Sequence, residues 1–297
     1  SWEVGVTLKA FEGLSLDVSY YDTRTFNQTF DSQLSVSSGY TALYVQTGNV
    51  RNRGVELSLG YDHQWGIFGW SSNYTFSTNR NEVLELMENY THPETGNVIS
   101  LDQLKVGGFA NAAFVLTPGG TLGDLYTTVD LNRDEFGNVY VDKDGSISRN
   151  TEIGYRKLGS VFSKANMAWN NDFNVGSFNF GFLISARLGG IVYSATQARL
   201  DNFGVSEASA LARDNGGVMV DGYCIDPYTW YSVVGADSGI PQYYTYDATN
   251  VRLQEAHIGY TIPRTKLGGL MDITISLVGR NLWMIYCKAP FDPESIA

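Results

Sequence analysis

Short and long connections alternate along this chain between segments whose hydrophobicity has a period of two, and few folds tolerate that arrangement. Leu14, Leu16, Val18 and Tyr20 alternate with Ser15, Asp17 and Ser19, which puts them on one face of a strand. Val4, Val6 and Leu8 share a face just before, separated only by Phe11-Glu12-Gly13. Val55, Leu57, Leu59 and Tyr61 repeat the pattern, followed closely by Phe68, Trp70, Tyr74 and Phe76. Val161, Ala165, Met167 and Trp169 form a weaker face, with a turn expected near Asp172-Phe173-Asn174. Phe178, Phe180, Phe182, Ile184, Ala186 and Leu188 then oppose Asn179, Gly181, Ser185 and Arg187. Ala256, Ile258, Tyr260 and Ile262 precede Met271, Ile273, Ile275 and Leu277. The reading is eight strands in four pairs, with long connections at about residues 27–48, 79–158 and 189–246.

Soluble sandwiches have no general reason to alternate connection lengths. Outer-membrane β-barrels do, with short turns on one side and long loops on the other. The strands read as roughly 9–13 residues, near the ~9–11 of a tilted membrane-crossing strand. Phe178 to Leu188 offers an uncharged lipid face, with Asn179, Ser185 and Arg187 turned inward. Trp2, Tyr20, Tyr21, Trp70, Trp169, Tyr260 and Trp283 stand near strand ends, as aromatic girdles would. Region 79–158 then holds no membrane strand or an even number; Thr117-Pro118-Gly119-Gly120 and Asp142-Lys143-Asp144-Gly145 mark hairpins within an external loop. The expected fold class is all-β: an antiparallel transmembrane β-barrel. An open sheet edge cannot face lipid, so the remaining strands are expected from a larger parent.

Composition agrees. With 19 Tyr, 15 Phe, 6 Trp and 32 Gly against 7 Pro, the chain favours pleated strands and tight turns. The net charge of −11, without a Lys/Arg cluster along the sequence, excludes a nucleic-acid footprint. No apolar run approaches the ~18–20 residues of a spanning helix, though barrel strands would escape such a scan. Ser1-Trp2-Glu3-Val4-Gly5 lacks the features of a signal peptide.

A search for chemistry gives no catalytic constellation, no cofactor motif and no metal site. His63, His92 and His257 are far apart, with His63 expected at a short turn. Asp130, Asn132 and Asp134 have calcium-loop alternation but lack its glycine and closing glutamate, and Asp142-Lys143-Asp144-Gly145 reads as a hairpin. Cys224 and Cys287 could form one disulfide if near enough. The loop 189–246 carries Tyr223, Tyr228, Trp230, Tyr231, Tyr243 and Tyr244. These rings either contact a substrate or a lid, or pack on one another; both readings stand at this point.

Three stretches resemble the C-terminal half of SusC/RagA-type TonB-dependent outer-membrane proteins of Bacteroidetes. They are Gly48-Asn49-Val50-Arg51-Asn52-Arg53-Gly54-Val55-Glu56-Leu57, Asn250-Val251-Arg252-Leu253-Gln254-Glu255-Ala256 with Gly259-Tyr260-Thr261-Ile262-Pro263, and Gly279-Arg280-Asn281-Leu282-Trp283 with Asp292-Pro293-Glu294. All read as structural residues. The resemblance implies a ~22-stranded barrel in a Gram-negative outer membrane, of which residues 1–297 are the C-terminal part. It also implies a plug and TonB box outside this chain, a SusD-like surface lipoprotein, energy from TonB, and import of glycans or oligopeptides. The competing readings are a passive porin or structural barrel, and a soluble all-β glycan-binding module.

Overall fold

The computed structural model describes residues 1–33, 42–91 and 98–294. Eight strands form one antiparallel sheet in strict chain order: β1 (Trp2–Ala10), β2 (Leu14–Gln33), β3 (Ala42–Trp65), β4 (Phe68–Glu85), β5 (Ala165–Val175), β6 (Phe178–Leu188), β7 (Asn250–Ile262) and β8 (Ile273–Cys287). The sheet is not closed, with β1 and β8 as its edges. The four short connections are 11–13, 66–67, 176–177 and 263–272, all at one end. Pro263, which cannot donate to a ladder, follows the last residue of β7.

Register shows why the alternation matters. Val6, Val18, Leu57 and Phe76 stand side by side across four strands. Phe76 continues to Met167 and Ala186, and Phe180 continues to Ile258 and Leu277. The result is one apolar face across all eight strands. The opposite face carries Asp17, Ser58 and Thr75 in one row and Asp172, Gly181 and His257 in another. From Trp65 to Val55 the apolar face runs ~33 Å along β3 at ~3.3 Å per residue. At the ~45° tilt of membrane strands that is ~23 Å, close to the ~25 Å lipid band of an outer-membrane barrel.

Several boundaries differ from the sequence reading. Strands run from 9 to 24 residues, because β2 and β3 continue past the apolar band. Most of 27–48 is therefore strand; 34–41 lies outside the described residues. The turn expected at Asp172-Phe173-Asn174 falls at Gly176, which takes φ +60°. Asn170, Asp172 and Asn174 are the polar face of β5, a composition that a strand face shares with a turn. Val161 precedes β5, its N–H bonded to the Gly123 carbonyl. His63 lies within β3, 4.4 Å from the Trp65 ring.

The girdle is also redistributed. Tyr61, His63, Trp65, Phe68, Trp70, Phe173, Phe178 and Tyr260 cluster near the short turns. Trp2 and Tyr20 pair at the other end, with ring centroids 5.3 Å apart. Tyr21 faces the polar side, donating to Asn79 at 3.3 Å. Trp169 sits mid-band, level with Tyr74 and Leu59. Its indole donates to Ser72 Oγ at 3.0 Å, and that of Trp70 to Asn171 Oδ1 at 3.1 Å. Both N–H groups are thus satisfied within the apolar face, as a water-free surround requires.

Gly54 is the tightest point of the first motif. A Cβ there would lie 2.1 Å from the Thr78 carbonyl oxygen and 2.5 Å from the Tyr21 hydroxyl. Gly54→Val is expected to cost at least the ~1–3 kcal/mol of overpacking, since main chain must move. The yield of heat-modifiable folded barrel should fall several-fold at equal expression; a wild-type unfolding temperature would refute this.

Candidate functional site

The two longest connections fold into one body at the end opposite the short turns. The first supplies a four-stranded sheet made by Leu104–Phe109, Ala112–Leu116, Asp124–Thr127 and Arg156–Ser160. The second supplies three helices, α1 (Ala195–Asn202), α2 (Glu207–Asp214) and α3 (Pro227–Val234). Each helix starts at a residue suited to capping. Ser194, Ser206 and Asp226 accept from the backbone N–H three residues on, and Pro227 takes the first helical position.

One core joins the two connections: Val129, Leu131, Val139 and Ile147 from the first, Ala198, Ile225, Trp230, Val234, Ile240 and Tyr244 from the second. Polar groups clamp them as well. Arg149 donates to the Val233 carbonyl at 2.7 Å and the Ala236 carbonyl at 2.6 Å, holding the end of α3. Asp221 accepts from the Val139 N–H at 2.8 Å. The cap is therefore a folded unit rather than two loose loops. Burial pushes the Tyr193 and Tyr246 phenols up to about 12, so both stay neutral.

The six aromatic residues singled out from the sequence divide in this cap. Trp230 and Tyr244 are 7% and 2% exposed, inside the shared core. Tyr231 and Tyr243 pack against it, with the Tyr243 ring edge-on to Trp230 at 5.5 Å. Tyr223 and Tyr228 reach outward, 52% and 79% exposed. The rings are thus not one surface; only these last two stand where a large ligand could reach them.

A concave space of about 930 Å³ lies between the upper part of β4 and the cap. Asn79, Asn81, Ser160, Lys164, Gln242 and Asp247 are among its lining residues. A second space of about 840 Å³ is lined by Phe109, Phe114, Val161 and Tyr193 among others. Phe162 and Ile191 border both. Volumes of this order suit a compact ligand or part of an oligomer. The lining mixes amides, hydroxyls and charged groups, a set that can hydrogen-bond sugar or peptide groups. Asp247 is held below the usual carboxylate range by hydrogen bonds from the Thr249 hydroxyl and N–H, so it stays ionised.

Residues weighed for other chemistry are engaged structurally. Asp130 is buried and bonded by Arg133 at 3.2 Å, Arg156 at 2.8 Å and Gln242. Asp134 accepts the N–H groups of Phe136 and Asn138, and Asp142 closes the expected hairpin with Gly145. His257 lies 3.4 Å from Asp172 on the polar face, and His92 lies outside the described residues. Among the described residues no three metal-ligating side chains converge. Cys224 and Cys287 are separate thiols.

The motif residues meet each other. Arg252 is buried and grips Asp292 with two bonds, 2.7 and 3.2 Å, with Glu294 at 3.3 Å. Asn250 also donates to Glu294 at 3.2 Å. Arg280 bonds Glu255 at 2.9 Å, and Gln254 donates to Asn281 at 3.0 Å. The second and third motifs thus fasten β7 to β8 and to the segment after it.

The family model described as TonB dependent receptor-like, beta-barrel matches residues 1–282. The chain belongs to this family. Two TonB-dependent receptors of Formosa agariphila, P3 and P39, are 22% and 23% identical to it. The alignments cover 99% and 98% of this chain but 30% and 32% of those proteins, so it spans about a third of their length. Structures of the RagAB peptide importer in a closed-closed state and of the RagAB peptide transporter superpose with TM-scores of 0.70 and 0.71. Each match covers 99% of this chain and 32% of the other, at 17% identity, a likeness of fold. The family recognition and the barrel fold expected from the sequence are both borne out.

Proposed function

We propose that residues 1–297 form the C-terminal wall and extracellular cap of a TonB-dependent importer in a Gram-negative outer membrane. Its cargo would be an oligomeric nutrient, a glycan or an oligopeptide. A SusD-like surface lipoprotein would cover the mouth, and TonB would supply energy through a plug outside these residues. One observation carries this reading: a folded cap with large concave spaces stands over an unclosed sheet whose single apolar face is about as tall as a membrane. The length of the curated relatives leaves room for the missing strands and plug, and the RagAB likeness supports import. Tyr223 and Tyr228 are the rings proposed to touch cargo or lid.

The test is extraction of the parent protein from outer membranes in mild detergent, with mass spectrometry of whatever accompanies it. A stoichiometric lipoprotein is expected, and a trapped glycan or peptide would name the cargo. Uptake that survives loss of TonB would mark a passive pore. Recovery in the soluble fraction would overturn the membrane reading.

A further inference from the structure

The outward face does not stay apolar to the top of the strands. Registers across β2, β3 and β4 place Tyr20, Val55 and Thr78 in one row. The next row on the same face is Asp22, Arg53 and Arg80, and the one above it is Arg24, Arg51 and Glu82. No register shift separates these rows from the Val18, Leu57 and Phe76 row below. All six charged residues therefore share the side that carries the lipid-facing residues. At ~4.8 Å between strands and ~3.3 Å per residue they fill a patch roughly 10 by 7 Å at their Cα positions.

We propose that this patch binds the phosphate group of an outer-leaflet glycolipid. Four arginines face two carboxylates in a chain whose net charge is −11, so the patch opposes the overall charge. Asp22 is buried and engaged by Arg51, whose Nε lies 3.0 Å from Oδ2. Glu82 is only within 3.9 Å of Arg53. Arg24 and Arg80 are exposed and form no salt bridge among the described residues. Two positive charges are left over at the surface. Tyr20 lies in the row just beneath, and its ring pairs with that of Trp2, which is level with Asp22, so the ring pair marks headgroup level. Arginine on the lipid-facing side of a barrel is tolerated near the interface and not at mid-depth. Its planar fork matches phosphate oxygens in a way that lysine does not, and all four cations here are arginine.

The inference rests on the proposed membrane placement, which the fractionation above tests independently. The full-length protein, delipidated and held in nanodiscs, is titrated with bis-phosphorylated lipid A, its dephosphorylated form and inorganic phosphate, with native mass spectrometry as the readout. The comparison is with R24Q/R80Q, checked for folding by heat-modifiable migration; R80Q alone serves if the double variant fails to assemble. The phosphorylated lipid is expected to bind at least about tenfold more weakly to the double variant, as loss of charge-assisted hydrogen bonds implies. The dephosphorylated lipid should bind both proteins alike. Equal binding of the phosphorylated lipid to both proteins would overturn the proposal. So would displacement of that lipid by inorganic phosphate alone at low millimolar concentration.

Discussion

Trp230→Ala is expected to unfold the cap while leaving the eight-stranded sheet assembled. Trp230 is 7% exposed on α3 and faces a core drawn from both long connections. Truncating a buried Trp typically costs ~3–5 kcal/mol, part transfer and part cavity. That is a large share of the ~5–15 kcal/mol that holds a typical domain folded. The sheet does not depend on this core, because its strands pair with one another along their length. Limited proteolysis of the assembled protein should therefore cut the variant within 189–249 at a dose the wild type resists, with unchanged heat-modifiable migration. Tyr228→Ala is the control. Its ring is 79% exposed, so the cap should stay resistant, and any loss of uptake would then report contact with cargo or lid. A W230A cap as resistant as wild type would show that the shared core does not hold the connections together.

The eight strands were legible because a lipid face and a water face impose a strict period of two, and nothing else in the chain does so for so long. The ends of β2 and β3 were not, for the same reason in reverse. Above the band Phe30, Val50 and Val83 pack into a core with Leu104 and Leu116 while the lipid-side positions turn charged, and Thr25-Phe26-Asn27-Gln28-Thr29 no longer alternates by polarity. The helices were hidden by weak stripes: α1 reads Ala-Thr-Gln-Ala-Arg-Leu-Asp-Asn. Asp226-Pro227 was nonetheless a start signal in plain view, and Trp230 with Val234 had the spacing of one buried helical face. That spacing, more than aromatic content, separates Trp230 from Tyr228. The arginine patch was out of reach, since Arg24, Arg51 and Arg80 become neighbours only once the registers of three strands are known.

Parity within β3 yields the sharpest contrast, because adjacent residues should respond oppositely to one substitution. Leu59 lies mid-band on the apolar face, level with Leu16 and Tyr74. Ser58 is next to it in sequence but on the polar face, opposite Asp17 and Thr75. An arginine on the lipid face near mid-depth costs ~2–4 kcal/mol, because no water is there to replace its hydration. An arginine at 58 keeps water and gains a carboxylate across the strand, a pairing of the exposed kind that is worth ~0–1 kcal/mol. Leu59→Arg is therefore expected to cut the assembled fraction in outer membranes several-fold, while Ser58→Arg assembles like wild type. The readout is heat-modifiable migration of membrane-embedded protein at matched expression. The reverse order would mean that the apolar face lines the interior and that this sheet does not stand in lipid. Equal, mild effects would mean that neither face meets hydrocarbon, and the soluble β reading would then regain its place.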